Sequence, residues 1–159
     1  MLVPVAAAPT ADLSATAVTD SADVNLWNAD MSPSGRWICF QATTPALKSS
    51  TLFVTSVDGR PSKVTDGAYW DDKPQWSPDG RILYFVSDRG GLLGVWGIGF
   101  DRARGVPVGE AFSVLAFSGR ELQISPSLEG LELAVGGRRI AIPVEDPSGG
   151  IWMLGNIRR

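Results

Sequence analysis

Residues 71–85 have the sequence DDKPQWSPDGRILYF, in which a polar segment and a tryptophan precede a turn and an alternating apolar segment. Pro78 sets φ near the value that the first turn position requires, and Gly80 tolerates the positive φ that such turns need. Because apolar residues flank the turn on both sides, the stretch predicts a tight hairpin of two antiparallel β-strands.

The hairpin sequence occurs three times along the chain. The glycine–arginine steps at residues 35–40 (GRWICF), 80–85 (GRILYF) and 137–142 (GRRIAI) align without gaps. An aromatic residue of a further apolar segment follows the three glycines after 18, 16 and 15 residues, namely Phe53, Trp96 and Trp152. Self-similarity at a period of about 45 residues indicates a propeller or a solenoid, and period-2 alternation selects the β type.

A competing position exists for the third turn, because residues 125–127 (SPS) resemble the turn of the second copy. With that choice Trp152 would lie 22 residues after Gly130, farther than the spacing of the other two copies allows. We therefore place the third turn at Gly137 and expect residues 118–130 to form a long connection.

Two of the three units carry a fourth apolar segment, at residues 62–66 and 111–115, which completes the four antiparallel strands of a propeller blade. We therefore predict an all-β half β-propeller over residues 10–159, after a flexible segment 1–9. The predicted blades are blade one (24–67), blade two (71–117) and blade three (131–156), the last without an outer strand.

The two ends of the chain suggest how the ring closes. Residues 17–20 (AVTD) match residues 63–66 (KVTD), which predicts an outer strand within 10–20 that has no blade of its own. Three blades are too few for a closed propeller, and an open arc exposes sheet edges. We expect a two-fold homodimer in which each N-terminal strand completes the last blade of the partner, giving a six-bladed ring.

Residues 71–90 carry the pattern D-x-x-P-x-W-S-P-D-G-R-x-L-x-F-x-S-D-R-x-G, which resembles the repeat of the TolB-like (WD-like) β-propeller family. Residues 140–154 are similar to the closing blade of such propellers in bacterial multidomain proteins, so the chain resembles their C-terminal half. Ser34 and the absence of Ser-Pro before Gly137 depart from the pattern. The resemblance implies a bacterial six-bladed scaffold for protein–protein contacts without catalytic residues, and it leaves both cytoplasm and periplasm open.

Composition excludes several function classes. A net charge of −3 and a pI near 4.9 argue against nucleic-acid binding, which needs clustered cations. No apolar stretch is long enough for a membrane span, and residues 1–15 lack the basic segment of a secretory signal. The chain has no histidine, which rules out Ser-His-Asp and Cys-His catalysis. We predict that the chain is not an enzyme and has neither a cofactor nor a metal site.

The candidate binding residues precede the innermost strands of blades one and two. They are Trp27, Asn28, Asp30, Tyr69, Trp70, Asp71 and Asp72. We expect an acidic, aromatic-edged surface at the channel mouth that binds a protein or a basic peptide. Turn capping by these side chains is the competing interpretation. Two further hypotheses remain, a carbohydrate or small-ligand module at the same place and a half-propeller completed by another chain.

Overall fold

The structure, a computed structural model, describes residues 17–19, 21–46, 48–117, 122–124, 130–145 and 150–154. Within these residues the chain forms eleven β-strands in three antiparallel sheets. Blade one contains β1 (Asn25–Met31), β2 (Trp37–Thr43), β3 (Ser50–Ser56) and β4 (Ser62–Lys63). Blade two contains β5 (Asp71–Trp76), β6 (Ile82–Ser87), β7 (Gly94–Asp101) and β8 (Val106–Leu115). Blade three contains β9 (Ala134–Gly136), β10 (Arg139–Val144) and β11 (Gly150–Leu154).

Each sheet is a meander in which strands that follow one another along the chain are hydrogen-bonded neighbours. The prediction of an all-β chain with four-stranded antiparallel sheets is thus confirmed, and the third sheet shows three strands within the described residues. The predicted strand within 10–20 lies outside the described residues except for 17–19, which belong to no strand of these sheets. Closure into a ring and pairing of two copies stay predictions. No helix in the described part of the chain is long and apolar enough to cross a membrane.

The turns between β1 and β2 and between β5 and β6 have the same construction. Gly80 has a φ of 66° and its N–H donates to the Ser77 carbonyl at 2.8 Å. The Ser77 hydroxyl accepts from the N–H groups of Arg81 and Ile82 at 3.1 and 3.0 Å. The serine therefore caps the turn, which explains why Ser-Pro precedes the glycine. We call the end of the sheets that carries these turns the lower end, and the opposite end the upper end.

Blades one and two pack face to face through a buried apolar core. Blade one contributes Cys39, Leu52, Val54 and Val64, and blade two contributes Trp76, Leu83, Phe85, Ile98 and Phe100. At the lower end Trp76 and Phe100 meet edge to face with ring centroids 4.7 Å apart, and Trp37 joins them at 5.9 Å from Phe100. The Trp37 ring also lies against Gly105 in the β7–β8 turn, so blade one is anchored to the turn of its neighbour.

A second core joins blades two and three. Blade two contributes Tyr84, Val86 and Val95, and the following residues contribute Ile124, Leu131, Leu133, Ile140, Ile142 and Val144. Burying each such aliphatic side chain stabilises the fold by about 1.5–3 kcal/mol. Two successive face-to-face packings of antiparallel meanders are the arrangement of propeller blades.

The innermost strands of blades one and two each contain a one-residue β-bulge. The register with the next strand shifts between Trp27 and Asp30 in β1 and between Asp72 and Gln75 in β5. At these places Asn28 and Lys73 have left-handed backbones, with φ of 51° and 50°. Bulges of this kind add a residue to one strand without disturbing the pairing on either side.

Blade three has a longer insertion at the position that corresponds to these bulges. Gln123 pairs with Glu145, and Ala134 pairs with Ala141. Eleven steps along the inner segment therefore face four steps along β10, whereas in blade one the five steps from Asn25 to Asp30 face four. Blade three thus has seven extra residues between these two pairs where the first two blades have one, and Gly137 occupies the β9–β10 turn.

Candidate functional site

The upper end of blades one and two contains most of the residues that the sequence singled out. Asp71, the first residue of β5, is fully buried and forms an ion pair with Arg89, whose Nη2 lies 2.6 Å from Asp71 Oδ1. Its backbone carbonyl accepts from the side chains of Gln41 and Ser50 in blade one. Among the described residues, Asp71 Oδ2 has no hydrogen-bond partner.

Arg89 is held by aromatic rings as well as by the carboxylate. Its guanidinium carbon lies 5.0 Å from the ring centroid of Tyr69, 5.1 Å from that of Phe85 and 5.5 Å from that of Trp96. Cation–π contacts of this kind strengthen when the cation loses water. The arginine therefore links the buried charge of Asp71 to the exposed ring of Tyr69.

Asp72 joins the two bulges. Asp72 Oδ1 accepts from Asn28 Nδ2 at 2.9 Å and from the N–H of Lys73 at 2.6 Å. Asn28 Nδ2 also donates to Gln41 Oε1 at 2.9 Å, and Lys73 Nζ donates to Asn28 Oδ1 at 3.3 Å. The bulge residues of neighbouring blades are therefore connected through one carboxylate and one amide.

The expectation of an exposed acidic surface formed by Asp71 and Asp72 is corrected by this geometry. Asp71 is 0% exposed and Asp72 is 2% exposed, so both carboxylates face the protein. Counting positions from the turn glycine placed them ahead of the inner strand but did not show that Arg89 and Asn28 cover them. A binding role for these two residues stays a prediction.

Asp30 also has a structural partner in the neighbouring blade. Its Oδ2 accepts from the Trp76 N–H at 3.0 Å, and its carbonyl accepts from Trp76 Nε1 at 3.3 Å. The same carbonyl lies 3.5 Å from Cys39 Sγ, which donates to it. Burial raises the pKa of the Cys39 thiol far above its usual value, and the nearby Asp30 carboxylate raises it further.

Among the predicted residues, the side chains of Trp27, Asn28, Tyr69 and Trp70 reach solvent. Trp27 is 52% exposed and donates through Nε1 to Thr43 Oγ1 at 3.0 Å, and Tyr69 is 45% exposed. Trp70 is half-buried, and its N–H donates to Asp88 Oδ1 at 2.9 Å. The indole Nε1 of Trp70 is itself buried and has no partner among the described residues.

Tyr69 and Trp70 form one wall of a small upper pocket of about 260 Å³. Lys48, Ser49 and Asp88 complete its polar lining. Sequence reasoning missed these three as site residues. Asp88 could have been found, because it belongs to the Ser-Asp-Arg segment of the repeat pattern, whereas Lys48 and Ser49 come from the loop after β2 and have no sequence signal. Within the described residues, no three His, Cys, Asp or Glu side chains cluster as metal ligands would.

Comparison with known proteins addresses the fold. No family model matches the sequence, and no curated protein matches it. Among solved structures, a protein assigned as TolB from Agrobacterium tumefaciens is 15% identical with a TM-score of 0.56, covering 84% of this chain and 50% of the other. TolB from Acinetobacter baumannii is 18% identical with a TM-score of 0.59, covering 91% of this chain and 34% of that protein.

Puromycin hydrolase also matches, at 22% identity and a TM-score of 0.61, with 87% of this chain and 23% of the hydrolase covered. The chain therefore spans half or less of the length of each of these three proteins. At such identities the likeness concerns the fold, and it agrees with the meander sheets and the two interblade cores. The chain has the fold of a segment of a TolB-like β-propeller.

Proposed function

We propose that this chain is a non-enzymatic binding scaffold that holds an extended protein segment or peptide at the upper end of blades one and two. The observation that carries the proposal is the exposed ring of Tyr69 beside the half-buried ring of Trp70, which together line the upper pocket. Exposed aromatic side chains on a rigid support are the usual anchors of protein interfaces.

The polar residues below these rings make the surface rigid before any partner binds. Arg89 contacts the Tyr69 ring from within and is itself fixed by Asp71. A side chain that is already ordered loses little conformational entropy on binding, so more of its contact energy contributes to affinity. The Trp70 ring lines the same pocket and has its backbone N–H fixed by Asp88, so it adds an ordered apolar surface beside Tyr69.

The absence of catalysis is part of the proposal because the fold occurs both in TolB and in puromycin hydrolase. The sequence contains no histidine, so a histidine general base is excluded. The adjacent carboxylates of Asp71 and Asp72 are buried, the first in an ion pair and the second in a hydrogen-bond network.

The test is selection of peptides from a displayed random library on the immobilised chain, followed by calorimetry with the selected peptides. Tyr69→Ala and Trp70→Ala, each of which removes a ring that lines the upper pocket, are each expected to weaken binding by about tenfold. Val108→Ala is the matched control, because Val108 is 54% exposed on the outer strand of blade two. Failure to select peptides, or equal affinity in all variants, would contradict the proposal.

The carbohydrate alternative gives a different result in a thermal-shift screen. A sugar that raises the melting temperature, with an effect that Trp70→Ala removes, would favour that alternative over a peptide. Peptide binding with no response to sugars supports the scaffold.

We further propose that two copies complete the ring. Trp27 and Met31 on β1 are 52% and 45% exposed, whereas four of the six residues in β5, the corresponding strand of blade two, are buried. An exposed innermost strand with large apolar side chains suits a further blade beside it. Light scattering is expected to give the mass of two chains, and removal of residues 1–22 is expected to give a monomer that melts earlier. A monomeric full chain, or a truncated dimer with unchanged melting, would refute this assembly.

A further inference from the structure

A second cavity lies at the lower end between blades two and three, away from the upper pocket. It has a volume of about 790 Å³, within the range of roughly 300–1,000 Å³ that small-molecule sites occupy. Its apolar lining includes Ile82, Tyr84, Phe112 and Val135. The guanidinium-bearing residues Arg138 and Arg139 line its other side.

The repeat itself explains why space exists here. Trp37 of blade one lies two positions after its turn glycine, Gly35. Trp76 of blade two lies four positions before its turn glycine, Gly80. Together with Phe100 these rings fill the lower end of the junction between blades one and two. At the next junction the same two positions hold Ile82 and Leu133. Smaller aliphatic side chains thus replace two indoles.

Phe112 forms an aromatic wall of the cavity. It projects from the outer strand β8 onto Gly97 of β7, where an added Cβ would come within 2.8 Å of the ring. Its side chain is 44% exposed although it is large and apolar. A ring supported on one side and open on the other suits stacking against a flat apolar group.

The charge of the lining is positive although the chain as a whole is negative. Arg138 and Arg139 form no ion pair among the described residues, in which Arg89–Asp71 is the one salt bridge. Asp79 also lines the cavity and contributes one negative charge; its Oδ1 accepts from the Ser77 hydroxyl at 2.7 Å and from the Arg81 N–H at 3.1 Å. Two guanidinium groups against one carboxylate leave the lining with a net positive charge beside an apolar wall.

We propose that this cavity binds a small organic carboxylate with an aromatic or apolar body. The carboxylate lies between Arg138 and Arg139, since guanidinium groups bind carboxylates through paired, charge-assisted hydrogen bonds. The body lies against Phe112 and Ile82. This site is separate from the peptide surface of the upper end and does not depend on it.

The experiment uses cinnamate as the probe and calorimetry with the full chain as the measurement. Cinnamate is expected to bind with saturation, and cinnamyl alcohol, which has the same body without the charge, is expected to bind about tenfold more weakly. The double variant Arg138→Gln/Arg139→Gln should lose a similar factor. Arg60→Gln, a single change of an exposed arginine in blade one, is the control and should bind cinnamate normally.

Phe112→Ala provides a second test of the aromatic wall, because it should weaken cinnamate and cinnamyl alcohol alike. Thermal melts of each variant show whether it is folded, and the two exposed arginines can be replaced without opening a core. No saturable binding of cinnamate to the unmodified chain, or unchanged affinity in the double arginine variant, would overturn the proposal.

Discussion

Arg89 holds the fully buried carboxylate of Asp71 at 2.6 Å and lies over three aromatic rings, those of Tyr69, Phe85 and Trp96. Blade one lacks this pair, because its equivalent positions, counted from the turn glycine, carry Leu26 and Thr44. The same fold thus tolerates both an ion pair and a neutral pair at this place. Blade one therefore serves as an internal reference for the contribution of the Asp71–Arg89 pair to the stability of blade two.

Arg89→Thr is expected to lower the free energy of unfolding by about 3–5 kcal/mol, because it leaves the Asp71 carboxylate buried without its cation. Asp71→Leu combined with Arg89→Thr copies the residues of blade one and should be more stable than Arg89→Thr alone. Urea unfolding followed by tryptophan fluorescence measures both. A double variant no more stable than the single one would contradict the role given to the pair.

Gly105→Ala is expected to cost about 2–4 kcal/mol of stability, since it places a Cβ in the Trp37 ring at a residue with φ of 73°. Gly109→Ala is the matched control. Gly109 has a φ of 75° and nothing within 4 Å of an added Cβ, so only the backbone strain of about 1 kcal/mol remains. Equal losses in the two variants would show that the Trp37 contact is unimportant.

Lys73→Gly is expected to be neutral or to stabilise by up to about 1 kcal/mol, because glycine accepts a φ of 50° without strain. Lys73→Val should destabilise by about 1–2 kcal/mol at the same position, since a β-branched residue is poorly suited to a left-handed backbone. Thermal melts of the two variants distinguish them. The reverse order of stability would mean that the bulge has another conformation in solution.

Cys39 is expected to be unreactive toward thiol reagents in the folded protein. Burial raises the pKa of its thiol, and the Asp30 carboxylate adds to the effect, so the neutral thiol persists through alkaline pH. Because the folded pKa is raised, increasing the pH from 7 to 9 should not accelerate labelling until the chain unfolds. Labelling with an aromatic disulfide reagent, with and without urea, checks this. Rapid labelling of the native chain at pH 9 would disprove the burial.

The hairpins and the blade order follow from the sequence because they depend on local chemistry. Ser77 caps its turn, Gly80 takes the positive φ, and Trp76 and Leu83 alternate into the core. The choice of Gly137 as the third turn rested on spacing alone, and the β9–β10 turn lies there.

The site was harder to predict because burial depends on neighbours that are distant in sequence. Asp71 is covered by a side chain 18 residues away, and Asp72 by an asparagine 44 residues away in another blade. The lower cavity is a different case. The aligned copies show that Ile82 in blade two replaces Trp37 of blade one. This difference indicates a cavity only once blades two and three are known to pack against each other.

The bulge of the innermost strand has a consequence for engineering. At one position this repeat accepts one extra residue in two blades and seven extra residues in the third, while strand pairing continues on both sides. The bulge positions Asn28 and Lys73 are therefore sites at which residues can be inserted without changing the strand pairing on either side. Foreign peptide segments inserted at the bulge of blade one or blade two would be displayed from the inner strand, while the pairs on either side of the bulge keep the register of the sheet.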